Sequence, residues 1–255
     1  LMQYFYISYP KVNIFFKILG ILPNGYCDIA SRYMRVRGKL FDNICITDSL
    51  FFNIKGNFDC KIEDNTIFRA KEVLKTKIAN DNISKKLELF SIEVEKKIPS
   101  FAGLGGGSSN AATYLLAMNE ILELNLSKNQ LASIAALVGS DVSFFIYELD
   151  FANVFGIGDR VEEFKEKYFN LDIITPPIKC STKAVFDEFK KMPNFSIANM
   201  LELDSILLLK KFNLELLNDL YVPALRLYPK LKEYAKDGYF FSGSGSSFFK
   251  ILDKG

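Results

Sequence analysis

From residue 9 to 19 the chain reads YPKVNIFFKIL, and its positions alternate. Val12, Ile14, Phe16 and Ile18 fall on one side of an extended backbone, and Lys11, Asn13, Phe15 and Lys17 on the other; a period of two predicts a strand. Pro, Asn and Gly within 22–26 predict a turn. IASRYMRV (29–36) and ICITDSLFFNI (44–54) predict further strands. Across 63–79 the period lengthens, with Ile67, Ala70, Val73 and Leu74 at helical spacing. LFSIEVEKKI (89–98) predicts a strand that runs into Pro99 and a cluster of glycines.

A helix is predicted from about Ser109 to Leu122, with Ala112, Leu115, Leu116, Asn119 and Leu122 along one side. Ser127 opens another, and Gln130 three residues later completes a capping box. Its apolar run ends at Val138, with Gly139 as the stop. The second half differs in texture. FGIGDRVEEF (155–164) predicts a glycine turn and a strand, LDIITPP (171–177) a strand, and STKAVFDEFKK a capped helix. More helices follow to about Lys236, and GYFFSGSGSSFFKIL (238–252) reads strand, glycine turn, strand. Strands and helices without regular βαβ alternation predict an α+β fold, with a boundary between residues 155 and 170.

Composition narrows the function. The chain has 255 residues, 49% of them hydrophobic, enough for one large or two smaller cores. Its net charge of +2, from 32 basic and 30 acidic residues without a block of either sign, disfavours a nucleic-acid or membrane-surface partner. Cys27, Cys45, Cys60 and Cys180 form no CxxC pair and read as reduced thiols of a cytoplasmic protein. No basic leader or long apolar stretch suggests a signal peptide or a membrane span. Histidine is absent, which excludes a Ser-His-Asp relay and His-ligated zinc. Acid–base chemistry near neutral pH then falls to Asp, Glu, Lys or Tyr.

The most unusual stretch is PSFAGLGGGSSNAAT (99–113). A flexible linker is expected among polar residues, whereas this run sits between an apolar strand and an alanine-rich helix. Two readings remain. The glycines permit close packing at a strand–helix turn, or they curl the backbone so that amides at a helix start converge on a phosphate. Four glycines at one helix start exceed what packing needs. GxxxxGK[ST] is excluded because no lysine precedes the serines, and GxGxxG because Ser108 stands where its last glycine belongs.

The same stretch resembles the second motif of the GHMP kinases, the small-molecule kinases named for galactose, homoserine, mevalonate and phosphomevalonate. Other segments agree in order: PKVNIFFKILGILPNGYCDIASRY, DNTIFRA, LVGSDVSFFI, FGIGDRVEEF and FFSGSGSSFF, from about residue 9 to 250. The resemblance implies a two-domain α+β kinase. Residues 1–158 form a ribosomal S5 domain 2-like domain and residues 159–255 a ferredoxin-like one, with the active site in the cleft between them. It implies ATP as co-substrate, Mg2+ with the phosphates, and, from the triple glycine, a cytidyl diphosphate sugar alcohol as the small-molecule substrate. Homoserine and mevalonate are the rival acceptors, and a non-catalytic nucleotide-binding protein is the rival class.

Residue by residue, the resemblance assigns ATP contacts to Pro99, Ala102, Gly103, Leu104, Gly105, Gly106, Gly107, Ser108, Ser109 and Asn110. Asn65 and Lys96 fall at the adenosine end, and Ser109 is the candidate metal ligand. Asp141 becomes the base that accepts the acceptor hydroxyl's proton; read alone, it caps the following turn. Lys11 and Asn13, on one face of the first predicted strand, are its helpers. Tyr26 and Phe186 sandwich the base of the substrate, Thr182 meets its diphosphate, and Gly243, Ser244 and Gly245 let the backbone approach it. Read alone, Phe186 is a core helix residue. Cys27 departs from the pattern: the triple-glycine relatives carry a histidine there that helps recognise cytosine, and a thiol is only a weak donor.

Overall fold

The computed structural model describes residues 2–195 and 200–252. A strand that the alternation does not announce comes first, β1 (Gln3–Ser8). The alternating stretch folds as β2 (Lys11–Ile21), followed by β3 (Cys27–Arg35), β4 (Asp42–Asp48) and β5 (Asn53–Gly56). Next come α1 (Thr66–Ile78), α2 (Asp81–Leu87), β6 (Phe90–Glu95), α3 (Gly106–Ile121), α4 (Lys128–Val138) and α5 (Val142–Tyr147). The second half holds β7 (Phe151–Gly156), β8 (Arg160–Glu163), β9 (Leu171–Ile174), α6 (Thr182–Lys191), α7 (Ser205–Lys211), α8 (Leu214–Leu217) and α9 (Tyr221–Leu227). Strands β10 (Phe240–Phe241) and β11 (Phe248–Ile251) flank the late glycine turn.

Contacts group the chain into two compact units built from interleaved segments. The first comprises Leu1–Pro10, Lys39–Ser100 and Gly106–Glu148, and the second Lys11–Gly38, Phe101–Gly105 and Leu149–Gly255. This grouping differs from a single cut after residue 158, because the early strands β2 and β3 pair with β7 and β8 in one antiparallel sheet.

In the first unit the sheet order is β1-β4-β6-β5, antiparallel except for β5 beside β6. The helices pack with one another and α3 lies against β1 and β4. The expected strand 44–54 is two strands: β4 stops at Asp48, the chain turns, and β5 pairs on the far side of β6. Helix α3 starts at Gly106, three residues before the expected Ser109, and is buried on a wider arc than one stripe. Leu115 and Ala112 face inward as expected, joined by Ala111, Tyr114 and Met118, while Leu116, Asn119 and Leu122 are half-buried. The Ser127–Gln130 capping box is present. Gly139 ends α4 with extended backbone (φ 179°) rather than a left-handed turn.

In the second unit β2 is buried on both faces over Lys11–Ile18, so its polar face is as enclosed as its apolar one. A smaller antiparallel sheet has the order β10-β11-β9. An apolar cluster joins the elements of this unit: Phe16, Ile18, Cys27 and Ile29 meet Val185 and Phe189 of α6, Leu220, Tyr221, Phe241 and Phe248.

Candidate active site

The glycine run is divided between the units. Gly103 and Gly105 belong to the second, while Gly106 and Gly107 open α3 of the first. Gly103 and Gly105 have positive φ, 73° and 67°, where a Cβ is disfavoured. Gly105, Ser108 and especially Gly107 keep some exposure, whereas Gly106, Ser109 and Asn110 are buried.

In the second unit several predicted residues come together. The Lys11 amide donates to the Leu104 carbonyl at 2.9 Å, tying β2 to the loop. The Lys11 ammonium donates to Asn13 Oδ1 at 2.6 Å and lies 4.6 Å from the centre of the Tyr33 ring. Asn13 Nδ2 donates to Ser31 Oγ at 3.0 Å, which fixes the amide so that its oxygen faces the lysine. Both residues are buried, at 3% and 1% exposure, where an ammonium persists only with such partners.

The late glycine turn stands against this pair. A Cβ at Gly243 would lie 3.1 Å from Asn13 Oδ1 and 3.6 Å from Lys11 Nζ. Ser242 Oγ donates to the Gly103 carbonyl at 2.9 Å, and the Ser247 amide to the Ala102 carbonyl at 3.0 Å. Thr182 and Ser244 hydroxyls are 2.9 Å apart. Tyr26 is exposed, at 59%, as a stacking ring needs. Phe186 is half-buried and packs against the apolar cluster, with its ring edge-on to Phe16 at 6.0 Å. Cys27 is buried in the same cluster; burial raises its thiol pKa, with Lys190 opposing and Asp187 adding to the shift. Its thiol therefore packs rather than faces solvent, because the first residue of β3 points at α6.

In the first unit the start of α3 is held by a buried polar network. Asp42, fully enclosed, accepts from the amides of Lys97 and Ile98 at 2.7 and 2.8 Å, and from Asn110 Nδ2 at 2.9 Å. The Lys96 ammonium pairs with the same carboxylate and donates to Asn110 Oδ1 at 3.0 Å. Asn110 Nδ2 also reaches Ser8 Oγ (2.9 Å), and Ser8 Oγ donates to Ser109 Oγ (2.7 Å). The Lys96 side chain is 9% exposed. Asp42 and Ser8 escape a reading of the sequence, because an Asp before an apolar strand and a Ser after one look like turn residues. Thr66 Oγ1 donates to the Gly107 carbonyl at 2.7 Å, while Asn65 caps α1 by accepting from the Ile67 amide at 2.9 Å. Pro99 is exposed before the loop. Asp141 precedes α5 without making a side-chain capping bond.

Chemically, amides and hydroxyls at a helix start suit an anion, and a buried lysine beside an amide oxygen suits charge developing on oxygen. Among the described residues no helix is long and apolar enough to cross a membrane.

Comparison with known proteins agrees with these features. Residues 65–148 match the model of the GHMP kinases N terminal domain. A 4-diphosphocytidyl-2-C-methyl-D-erythritol kinase of Sulfurimonas denitrificans is 42% identical over 98% of this chain and 97% of its own. The one of Helicobacter pylori strain J99 is 41% identical over 98% and 95%. A crystal structure of 4-(cytidine 5'-diphospho)-2C-methyl-D-erythritol kinase superposes with a TM-score of 0.79 at 25% identity, covering 99% of this chain and 90% of that one. A Methanococcus jannaschii mevalonate kinase shares the fold, with a TM-score of 0.63 at 15% identity over 99% and 91%. Identity of this degree over almost the whole length, on a mixed helix-and-sheet fold with the glycine loop in place, shows that the chain belongs to the 4-diphosphocytidyl-2-C-methyl-D-erythritol kinase family of GHMP kinases.

Proposed function

We propose that this chain phosphorylates the 2-hydroxyl of 4-diphosphocytidyl-2-C-methyl-D-erythritol with ATP, in the cytoplasm, as a step of the non-mevalonate route to isoprenoid precursors. The hydroxyl oxygen attacks the γ-phosphorus, the bond to the β,γ-bridging oxygen breaks, ADP leaves and the hydroxyl proton passes to Asp141. A positioned base of this kind contributes about 10²–10⁴-fold. Lys11 offsets charge on the transferring phosphoryl group, and Asn13 holds Lys11 in place. Amides and hydroxyls of Gly103–Ser109 hold the phosphates, with Asn110 close by and Asn65 and Lys96 toward the adenosine end. Tyr26, Phe186 and Thr182, with the 243–245 turn, take the cytidyl substrate.

The observation that carries this reading is the buried Lys11–Asn13 pair, hydrogen-bonded at 2.6 Å beside the Gly243 turn. Two polar groups shut inside a strand, next to a glycine-only backbone, are costly for folding alone. Mg2+ is expected with ATP, where it shields phosphate charge. The donors at the loop are amides and hydroxyls, and among the described residues no three carboxylates or thiols cluster. This set fits a cation carried mainly by phosphates, with Ser109 as the candidate protein ligand.

Asp141→Asn tests the assignment. ADP release driven by the cytidyl acceptor should vanish while ATP binding by calorimetry is kept; near-normal kcat removes Asp141 from the base role. Running the wild-type protein with homoserine and with mevalonate completes the test, since activity on either and none on the cytidyl acceptor overturns the substrate.

A further inference from the structure

Asn218 and Asp219 follow the short helix α8 and belong to no predicted motif, yet both are tied to site elements of the second unit. The side chain of Asn218 is 2% exposed and uses each of its polar atoms. Nδ2 donates to the Phe241 carbonyl at 2.9 Å and to the Gly243 carbonyl at 3.0 Å, and Oδ1 accepts from the Leu220 amide at 2.9 Å. One amide thus holds the two carbonyls that bracket Ser242, at the base of the turn that stands against Asn13 and Lys11.

Asp219 holds the other side. Its carboxylate pairs with Lys17 and accepts from the Ile18 amide at 2.8 Å, and its own amide donates to the Phe16 carbonyl at 2.9 Å. Phe16 and Asn218 also form a bridge between backbones. Two consecutive residues therefore grip two elements: Asp219 the strand that carries Lys11 and Asn13, and Asn218 the glycine turn. Their peptide bond is a rigid spacer, so the gap between turn and strand is set there. Burial raises the Asp219 pKa against the opposing pull of Lys17 and the Ile18 amide, so this carboxylate is held where it is costly to ionise.

We propose that Asn218 is a positioning residue for phosphoryl transfer: it fixes the 241–243 turn at the distance from Lys11 and Asn13 that the acceptor alcohol requires. This rests on the reading of Lys11 and Asn13 as part of the reacting site. The expected signature falls mainly on turnover, because the turn faces Asn13 and Lys11 directly, while its bonds to the loop assigned to ATP run from Ser242 and Ser247 and do not involve Asn218. Misplacing a reacting group by about 1 Å costs on the order of 10²-fold.

The experiment compares wild type, Asn218→Ala, Asn218→Ser and Lys11→Ala by steady-state kinetics, with ATP binding by calorimetry to count competent sites. For Asn218→Ala, kcat per ATP-binding site should fall about 10- to 100-fold, with the ATP dissociation constant changing far less. Asn218→Ser, whose hydroxyl serves one carbonyl, should fall between the two. A loss that disappears once activity is divided by ATP-binding sites marks a purely structural role and overturns the proposal, as does an equal weakening of ATP binding. If Lys11→Ala keeps its activity, the reading of the site is what fails; if it is inactive while Asn218→Ala is not, only the Asn218 role fails. Should both Asn218 variants misfold, the wild-type side-chain amide decides by NMR. Its two protons should exchange slowly and shift when the cytidyl acceptor is added, and resonances that do not move overturn the proposal.

Discussion

Replacing Gly103 by alanine strikes the loop where its backbone has least room. Gly103 adopts φ +73°, and holding a residue with a Cβ in the left-handed region costs about 1–2 kcal/mol. A Cβ there would stand 2.1 Å from the Ser242 carbonyl oxygen and 3.1 Å from both the nitrogen and the oxygen of Gly245. All three atoms are backbone, so no rotamer change relieves the contact. The loop and the turn must separate, and overpacking of this kind costs about 1–3 kcal/mol. Two hydrogen bonds span the same gap, from Ser242 Oγ to Gly103 and from the Ser247 amide to Ala102. Stretching one of them removes about 1 kcal/mol. Together these give a destabilisation of about 3–6 kcal/mol, against the roughly 5–15 kcal/mol that keeps a domain folded. At about 2–4 °C per kcal/mol for a chain of this size, the melting temperature should fall by about 6–24 °C. Differential scanning calorimetry measures this, and titration at a temperature where the variant is folded measures ATP affinity, which should weaken as the loop shifts. A melting temperature indistinguishable from wild type would mean that the loop does not seat against the 242–245 turn in solution.

Gly107→Ala is the contrasting case. Gly107 is exposed in the first turn of α3, and a Cβ there meets only Thr66, at 3.3 and 3.6 Å. Alanine is favoured over glycine in a helix by about 0.5–1 kcal/mol, so stability should hold or rise slightly. The KM for ATP should nevertheless increase, since the methyl stands beside an amide assigned to phosphate; unchanged KM would favour plain packing for this glycine. Glu88→Gln probes acid sensitivity. Burial acts to raise the Glu88 pKa, but hydrogen bonds and charge from Lys71 and Lys75 outweigh it and the net shift is below 4.5. A carboxylate whose folded pKa is depressed stabilises the fold above its unfolded pKa, and that contribution is lost as pH falls through the folded value. The melting-temperature gap between wild type and variant should therefore be widest near pH 7 and close toward about pH 3; a constant gap over that range rejects the ion pair as the source.

Much of this was legible where short-range pattern and structure coincide. The period of two over 9–19 yields β2, and Ser127 with Gln130 yields the start of α4. The Lys11–Asn13 pairing also follows from alternation, because residues two apart share a face. What escaped depends on partners far along the chain. Part of the burial of the polar face of β2 comes from Asp219, Ser242 and Gly243, about two hundred residues later, which no alternation reveals. The break at Asp48 was hidden because Leu50, Phe51 and Phe52 prolong the apolar texture while Leu50 and Phe51 point to solvent. β1 was missed for a related reason: Phe5 and Ile7 are the exposed positions of an edge strand. Cys27 sits in an apolar cluster that no local spacing reveals, while Phe186, read alone as a core residue of its helix, packs against that cluster. Asn218 reads as a turn residue until its carbonyl partners, 23 and 25 residues on, are seen.

The interleaving of the two units has a consequence in time. A ribosome delivers Gly103 long before Ser242, which lies 139 residues further on and supplies the hydroxyl that holds it. Strands β2 and β3 likewise emerge as a hairpin and wait for β7 to be made before their sheet extends. The nascent chain therefore carries a glycine loop without its seat for most of synthesis. A chain stalled before β10 therefore has the glycine loop but not the turn that it seats against.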